Sequence, residues 1–136
     1  VCWDATVSHN GAIGGIDLGG TKIQAAVVDA GHEVLGQARR DTPASGGPDA
    51  IVAEMAAALG EASDAAGVET DSLLGVGVGS PGTVDASAGT VAQASNLSDW
   101  REPFPVAQRL EEALGTTVAL GNDVQVAVDA EFALGH

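Results

Sequence analysis

Residues 14 to 29, GGIDLGGTKIQAAVVD, set two pairs of glycines around one aspartate and follow them with Thr-Lys and a β-branched run. Ala12 to Asp17 reads as a short buried strand entering the glycines, and Ile23 to Asp29 is too short and too rich in valine for a good helix. The chain must therefore turn on bare backbone between two strands. Gly15 to Gly20 has the spacing of a phosphate-cradling loop, G-x-x-x-x-G-K-[ST], but Thr21-Lys22 stands in the reverse order and a strand follows where that loop needs a helix. The dinucleotide fingerprint fails on the same context, because it too opens a helix.

A glycine turn between antiparallel strands suits another task. Gly19 and Gly20 permit positive φ and close approach, so that consecutive amides can point at one anion, with a hydroxyl from Thr21 and a charge from Lys22. Asp17 beside phosphates makes electrostatic sense when a divalent cation lies between them. The stretch thus reads as a clamp for phosphate and Mg2+ built on a hairpin. The competing reading is a tight hairpin with a solvated aspartate.

The turn DAGHE at 29 to 33 leads to a more polar strand, Val34 to Thr42, nearer an edge. After the loop TPASGGP, Pro48 suits the first turn of a helix with Ile51, Val52, Met55, Leu59 and Ala62 at helical spacing and Gly67 as its stop. Leu73 begins a buried strand that leaves the sheet sharply at Ser80-Pro81-Gly82, and Thr90 to Gln93 reads as another short strand. Pro105 opens a second helix that carries Val106, Leu110 and Leu114 on one face and stops at Gly115. Thr117 to Leu120 is a strand, and Asp123 to Leu134 a third helix. A hairpin sheet followed by alternating helices and strands is an α/β lobe. Residues 1 to 12 form a lead-in tail, and 13 to 136 the lobe.

Nineteen acids against five bases give a net charge of -14, which repels phosphate backbones and anionic lipid, so neither nucleic acid nor a membrane is expected as a partner of this segment. Cys2 is the only cysteine, which rules out an internal disulfide or a multi-cysteine metal site and points to the cytoplasm. No apolar run approaches the ~18 residues of a membrane span, and the start VCWDATVSHNGA has no signal-peptide pattern. Val1 in place of Met, and an end directly after a helical pattern, read as the limits of a piece of something longer.

IDLGGTK resembles the first phosphate motif of the actin-like, sugar-kinase and heat-shock-chaperone superfamily. GVGVGSPGTVD at 75 to 85, SNLSDW at 95 to 100 and GNDVQVAVDAEFALG at 121 to 135 follow in the order and spacing of the ROK family. That family contains glucokinases and related hexose kinases, N-acetylhexosamine kinases and sugar-responsive repressors. The resemblance implies a ribonuclease H-like N-terminal lobe with a mixed sheet flanked by helices, the C-terminal lobe being absent. It also implies a cytoplasmic, ATP-dependent hexose kinase that holds sugar in a cleft and nucleotide between two lobes, with a homo-oligomer expected of the full-length form.

Residue by residue, the resemblance makes Asp123 the catalytic base and sets Asn122 on the sugar hydroxyls. Pro81, Gly82 and Asn96 fall on the sugar-facing edge. Asp17, Gly19, Gly20, Thr21 and Lys22 fall on the nucleotide phosphates, with Asp17 toward Mg2+. The chemistry of those roles is independent of the family, since phosphoryl transfer to an alcohol needs alignment, charge neutralisation and a proton acceptor. A carboxylate at a strand-to-helix junction is anchored by both elements, and the helix N-terminus favours its ionised form. The same Asp123 is also a natural helix cap. Trp100, in a chain with 3% aromatic residues, reads as a packing residue before a sugar platform.

Departures from the family pattern lie at Gly121, where many glucokinases carry Glu, and at Gln125, where many carry a second Asn. They leave the sugar open, as the sequence leaves open ATP or polyphosphate as donor. The family's structural zinc belongs to the absent C-terminal lobe, and the isolated lobe is expected to be inactive. The alternatives are the sugar-sensing lobe of a repressor and an inactive remnant. A sensor has no need of a phosphate clamp, and the lead-in before the first strand is too short for a helix-turn-helix, an argument that holds only where Val1 is the natural start.

Overall fold

The computed structural model describes residues 12–29, 33–94 and 100–122. Strands β1 (Ile13–Leu18), β2 (Lys22–Val28) and β3 (Val34–Asp41) run antiparallel in succession, joined by short turns. Helix α1 (Gly47–Ala66) then carries the chain back across the sheet to β4 (Val76–Ser80), which pairs parallel with β1. A small hairpin of β5 (Thr83–Asp85) and β6 (Thr90–Ala92) stands apart as a second sheet. Helix α2 (Val106–Leu114) leads to β7 (Val118–Asn122), parallel to β4. The main sheet has the order β3-β2-β1-β4-β7. Parallel neighbours require crossovers of a dozen or more residues, which the helices supply. This mixed sheet, opening with an antiparallel hairpin, is the ribonuclease H-like arrangement that the resemblance implies.

Strand alternation sorts the sheet into two faces. Ile16, Leu18, Ile23, Val27 and Val78 point to one face and are essentially fully buried against Ile51, Met55 and Leu59 of α1. Gly14 shares that face, where a Cβ would stand 3.1 Å from Leu59. Helix α1 enters through Gly46 in the left-handed region with Pro48 in its first turn. It leaves through Gly67, also left-handed, whose N–H reaches Asp64 O at 3.1 Å while the Val68 N–H reaches Ser63 O at 3.1 Å. That pair of bonds caps the orphan carbonyls of the last turn. Helix α2 also ends on a left-handed glycine, Gly115, whose N–H reaches Glu111 O at 2.8 Å, with Val106, Leu110 and Leu114 buried as their spacing predicts.

Several expectations shift in detail. The strand expected from Leu73 begins at Val76, because Thr70–Ser72 form a 3-10 turn whose closing bond runs from the Leu73 N–H to Thr70 O at 3.2 Å. The β5 strand is absent from the sequence reading, since a three-residue run shows no period. The strand expected at Thr117 to Leu120 runs on to Asn122. The lead-in tail up to residue 11 and the third helix, Asp123 to Leu134, lie outside the described residues.

Trp100 is 1% exposed, donates its indole N–H to Val91 O at 2.8 Å and meets Phe104 edge-on with ring centroids 5.8 Å apart. It is a packing residue, as its rarity in the chain suggested, and it seats the β5–β6 hairpin.

Candidate active site

The parallel strands β1, β4 and β7 end along one edge of the sheet. Their register sets Asp17, Gly79 and Gly121 in one row, and Ser80 opposite Asn122 in the next. The carboxyl ends of parallel strands are where α/β sheets bind ligands, because the chain leaves the sheet there in loops that diverge from it. Every part of the candidate site that falls in the described residues is at this edge: Asp17, the glycine turn that follows it, the Ser80-Pro81-Gly82 turn, and the backbone of Asn122. Asn96 and Asp123 lie outside the described residues, the second directly after the last residue of β7.

Asp17 is half-buried on the sheet face opposite α1. Gln24 of β2 stands beside it on one side of the row, while Gly79 and then Gly121 on the other carry no side chain, so the sheet surface on the β4 side of the carboxylate is bare backbone. Mg2+ takes one or two protein carboxylates and completes its shell with water and phosphate oxygens, and one aspartate above glycines fits that demand. Among the described residues no group of three acidic, histidine or cysteine side chains gathers around a metal position.

The turn itself departs from its expected geometry. Neither Gly19 nor Gly20 is among the glycines at positive φ, which are Gly46, Gly47, Gly67, Gly82, Gly89 and Gly115. What Gly19 needs is room, for a Cβ there would stand 2.9 Å from Lys22 O, and the Gly19 N–H bonds that same oxygen at 3.0 Å. Gly20 and Thr21 are exposed at the tip. Lys22 does not point into the turn, because its ammonium is paired with the carboxylate of Asp41, its register partner on β3. The hydrogen bond from Lys22, and then its charge, holds Asp41 below the usual carboxylate range. Both side chains are largely exposed, so the pair is readily exchanged for another partner.

The Pro81-Gly82 turn does require glycine. Gly82 has φ 90°, and a Cβ there would lie 2.6 Å from Ala92 O, so the turn closes directly onto the end of β6. The Ser80 side chain is buried, and its hydroxyl donates to Pro81 O at 3.0 Å. Gln93, just past β6, is the only non-glycine residue at positive φ among the described residues, with φ 55°. Its N–H bonds Arg101 O at 3.0 Å, and its side-chain oxygen accepts the Thr83 hydroxyl at 3.1 Å. A strained residue thus clamps the two flanks of the segment that carries Asn96.

Sequence reasoning missed Asp41, Thr42 and Gln93. Asp41 and Thr42 come to the turn only through the β2–β3 register, with no local motif to mark them. Gln93 sits in an αL position that a sequence pattern assigns first to Gly or Asn.

The comparisons with known proteins bear on this arrangement directly. The model of the ROK family matches residues 13–136. A glucokinase of Streptomyces coelicolor is 36% identical over 121 residues, covering 89% of this chain. The chain spans 35% of that relative's length. Among solved structures, a ROK hexokinase from Thermus thermophilus is 34% identical with a TM-score of 0.75, covering 91% of this chain and 40% of its own. A ROK family glucokinase from Streptomyces griseus, solved with glucose and AMPPNP, is 36% identical with a TM-score of 0.75, covering 93% of this chain and 38% of its own. With the sheet order, the glycine turn and the family match all in one register, the chain belongs to the ROK family.

Proposed function

We propose that the chain is the N-terminal lobe of an ATP-dependent hexose kinase acting on glucose or a close relative. The observation that carries this reading is the convergence, on one sheet edge, of the glycine turn with Asp17 and of the Pro81-Gly82 turn with the end of β7. One group of residues suits an anionic donor and the other a polyhydroxy acceptor, and the acceptor's proton needs a base between them. Asp123, next after β7, takes that part. Asn122 and Asn96 hold and orient sugar hydroxyls, and the Gly82 turn lets the sugar lie close to backbone. The amides of the turn, the Thr21 hydroxyl and the Lys22 ammonium, once it exchanges Asp41 for phosphate, hold the donor. Mg2+ bound at Asp17 with the nucleotide would neutralise charge on the phosphoryl oxygens. The bare backbone on the β4 side of Asp17 supports this placement, as does a similar protein solved with AMPPNP. The repressor reading leaves the turn from Asp17 to Lys22 without a use.

A coupled assay on the full-length gene product against a panel of hexoses, with MgATP and with polyphosphate, tests the reading. Phosphorylation of glucose or a near relative is the expected result, and no transfer to any hexose from either donor removes it. The 136-residue chain alone is expected to show no sugar phosphorylation and to self-associate, because in-line transfer needs the far sides of both substrates held. Orientation accounts for roughly 7–11 kcal/mol of such barriers. Turnover by the purified chain that vanishes in Asp123→Asn would contradict that expectation.

Within the same reading, Gly20→Val is expected to raise the KM for MgATP far more than it weakens sugar binding. Its branched side chain would stand at the exposed tip where phosphate oxygens must approach the amides. Sugar affinity lost with donor KM unchanged would assign the turn to the wrong ligand.

A further inference from the structure

Thr42 follows the last residue of β3 and lies outside the glycine motif, yet it makes two bonds to the turn. Its N–H donates to Thr21 O at 2.9 Å, and its hydroxyl donates to Gly19 O at 2.8 Å. The residue is only 9% exposed, so these bonds are shielded from water. In a closed two-residue hairpin the Gly19 carbonyl would take the Lys22 N–H as the counterpart of the Gly19-to-Lys22 bond. Here that carbonyl accepts the Thr42 hydroxyl.

Peptide planarity gives those bonds a consequence. In a trans peptide the C=O of one residue and the N–H of the next point in opposite directions. Drawing Gly19 O and Thr21 O toward β3 therefore turns the Gly20 N–H and the Lys22 N–H away from β3. Two amides on one side of a turn, two residues apart, form the kind of concavity that binds an anion. Among the described residues the Gly20 amide makes no backbone hydrogen bond that would compete, and the Lys22 N–H does not close onto the Gly19 carbonyl.

We propose that Thr42 is a positioning residue for the phosphoryl donor: by holding the carbonyls of Gly19 and Thr21, it presents the Gly20 and Lys22 amides to the donor's phosphates. The inference rests on the kinase reading above. It makes donor affinity depend on a hydroxyl that touches neither substrate.

The test uses the full-length gene product and its Thr42→Val variant, which is close to isosteric and keeps the N–H but loses the hydroxyl. The KM for MgATP is expected to rise about tenfold, with glucose affinity unchanged and kcat less affected than KM. Thr42→Ser, which restores the hydroxyl, is expected to return the donor KM to within about threefold of wild type. If the valine variant does not fold, Thr42→Cys, with a much weaker donor of similar size, carries the same expectation. Wild-type donor KM in the variant lacking the hydroxyl, an equal loss of glucose affinity, or failure of serine to restore the donor KM would each overturn the role of Thr42 alone. A wild-type protein that neither binds MgATP nor transfers phosphate would overturn the kinase reading and this role with it.

Discussion

Asp123→Asn in the full-length gene product is expected to lower turnover by about 10²–10⁴ while leaving sugar binding largely intact. The amide keeps the size of the carboxylate and much of its hydrogen bonding, but it cannot accept the proton that a sugar hydroxyl must lose as it attacks phosphorus. Three features set the expectation. Asp123 directly follows β7, whose last described residue, Asn122, stands opposite Ser80 at the carboxyl edge of the sheet. The glycine turn and the Pro81-Gly82 turn open from that same edge. The sequence also leads to the expectation of a helix beginning at Asp123, and a helix N-terminus favours an ionised carboxylate, which suits a base. Steady-state kinetics beside glucose titration distinguish the two roles of this residue. Near wild-type turnover, with a drop in thermal stability of the size expected for a lost cap, about 1 kcal/mol, would make Asp123 structural.

Gly36→Val is expected to have the largest effect on stability, about 3 kcal/mol or more, read as a fall in melting temperature of roughly 10 °C. Gly36 pairs with Val27 on the face that meets α1. A Cβ there would stand 2.2 Å from Ala62 O, 2.6 Å from Ala66 N and 3.0 Å from Ala65 C. All three neighbours are backbone, so no side chain can move aside, and the whole helix must lift from the strand. The same helix offers an internal control, because a Cβ at Gly60 meets nothing within 4 Å. Gly60→Ala is expected to stabilise the protein by about 0.5–1 kcal/mol through helix propensity and lost unfolded-state freedom. A tolerated valine at position 36 would mean that β3 is not seated on α1 as described.

The sequence was most legible where one local rule decides the outcome. Pro48 and Gly67 bound α1, Pro105 and Gly115 bound α2, and the Gly82 turn leaves β4 as sharply as Ser-Pro-Gly implies. The strand character of Ile23 to Val28 excluded the helix-based phosphate loops, and that exclusion agrees with the hairpin observed. Reasoning failed where tertiary proximity replaces local conformation. Of the two freedoms that Gly19 and Gly20 offer, positive φ and close approach, the structure uses only the second, at Gly19 beside Lys22 O. The motif places Lys22 toward phosphate but gives no sign of Asp41, which the register of β2 with β3 brings to its ammonium. Gly36 gave no signal at all. A glycine inside a polar edge strand reads as a weak point until the helix that lies against it is known.

The contact of β3 with α1 also bears on which residues can vary. At Gly36 the strand lies against the backbone of α1, and Arg40 ties it again to Glu54 at 2.7 Å and to Glu61. Six residues past Gly36, about 20 Å along a strand, Thr42 holds the turn. The strand thus acts as a gauge block between the helix and the amides at the tip, its length set by covalent geometry and not by side-chain choice. Drift in the sequence of α1 at Ala62 or Ala66 would displace that block and the distant amides with it. On the kinase reading proposed above, the small residues along this side of the helix answer to donor geometry as well as to a filled core.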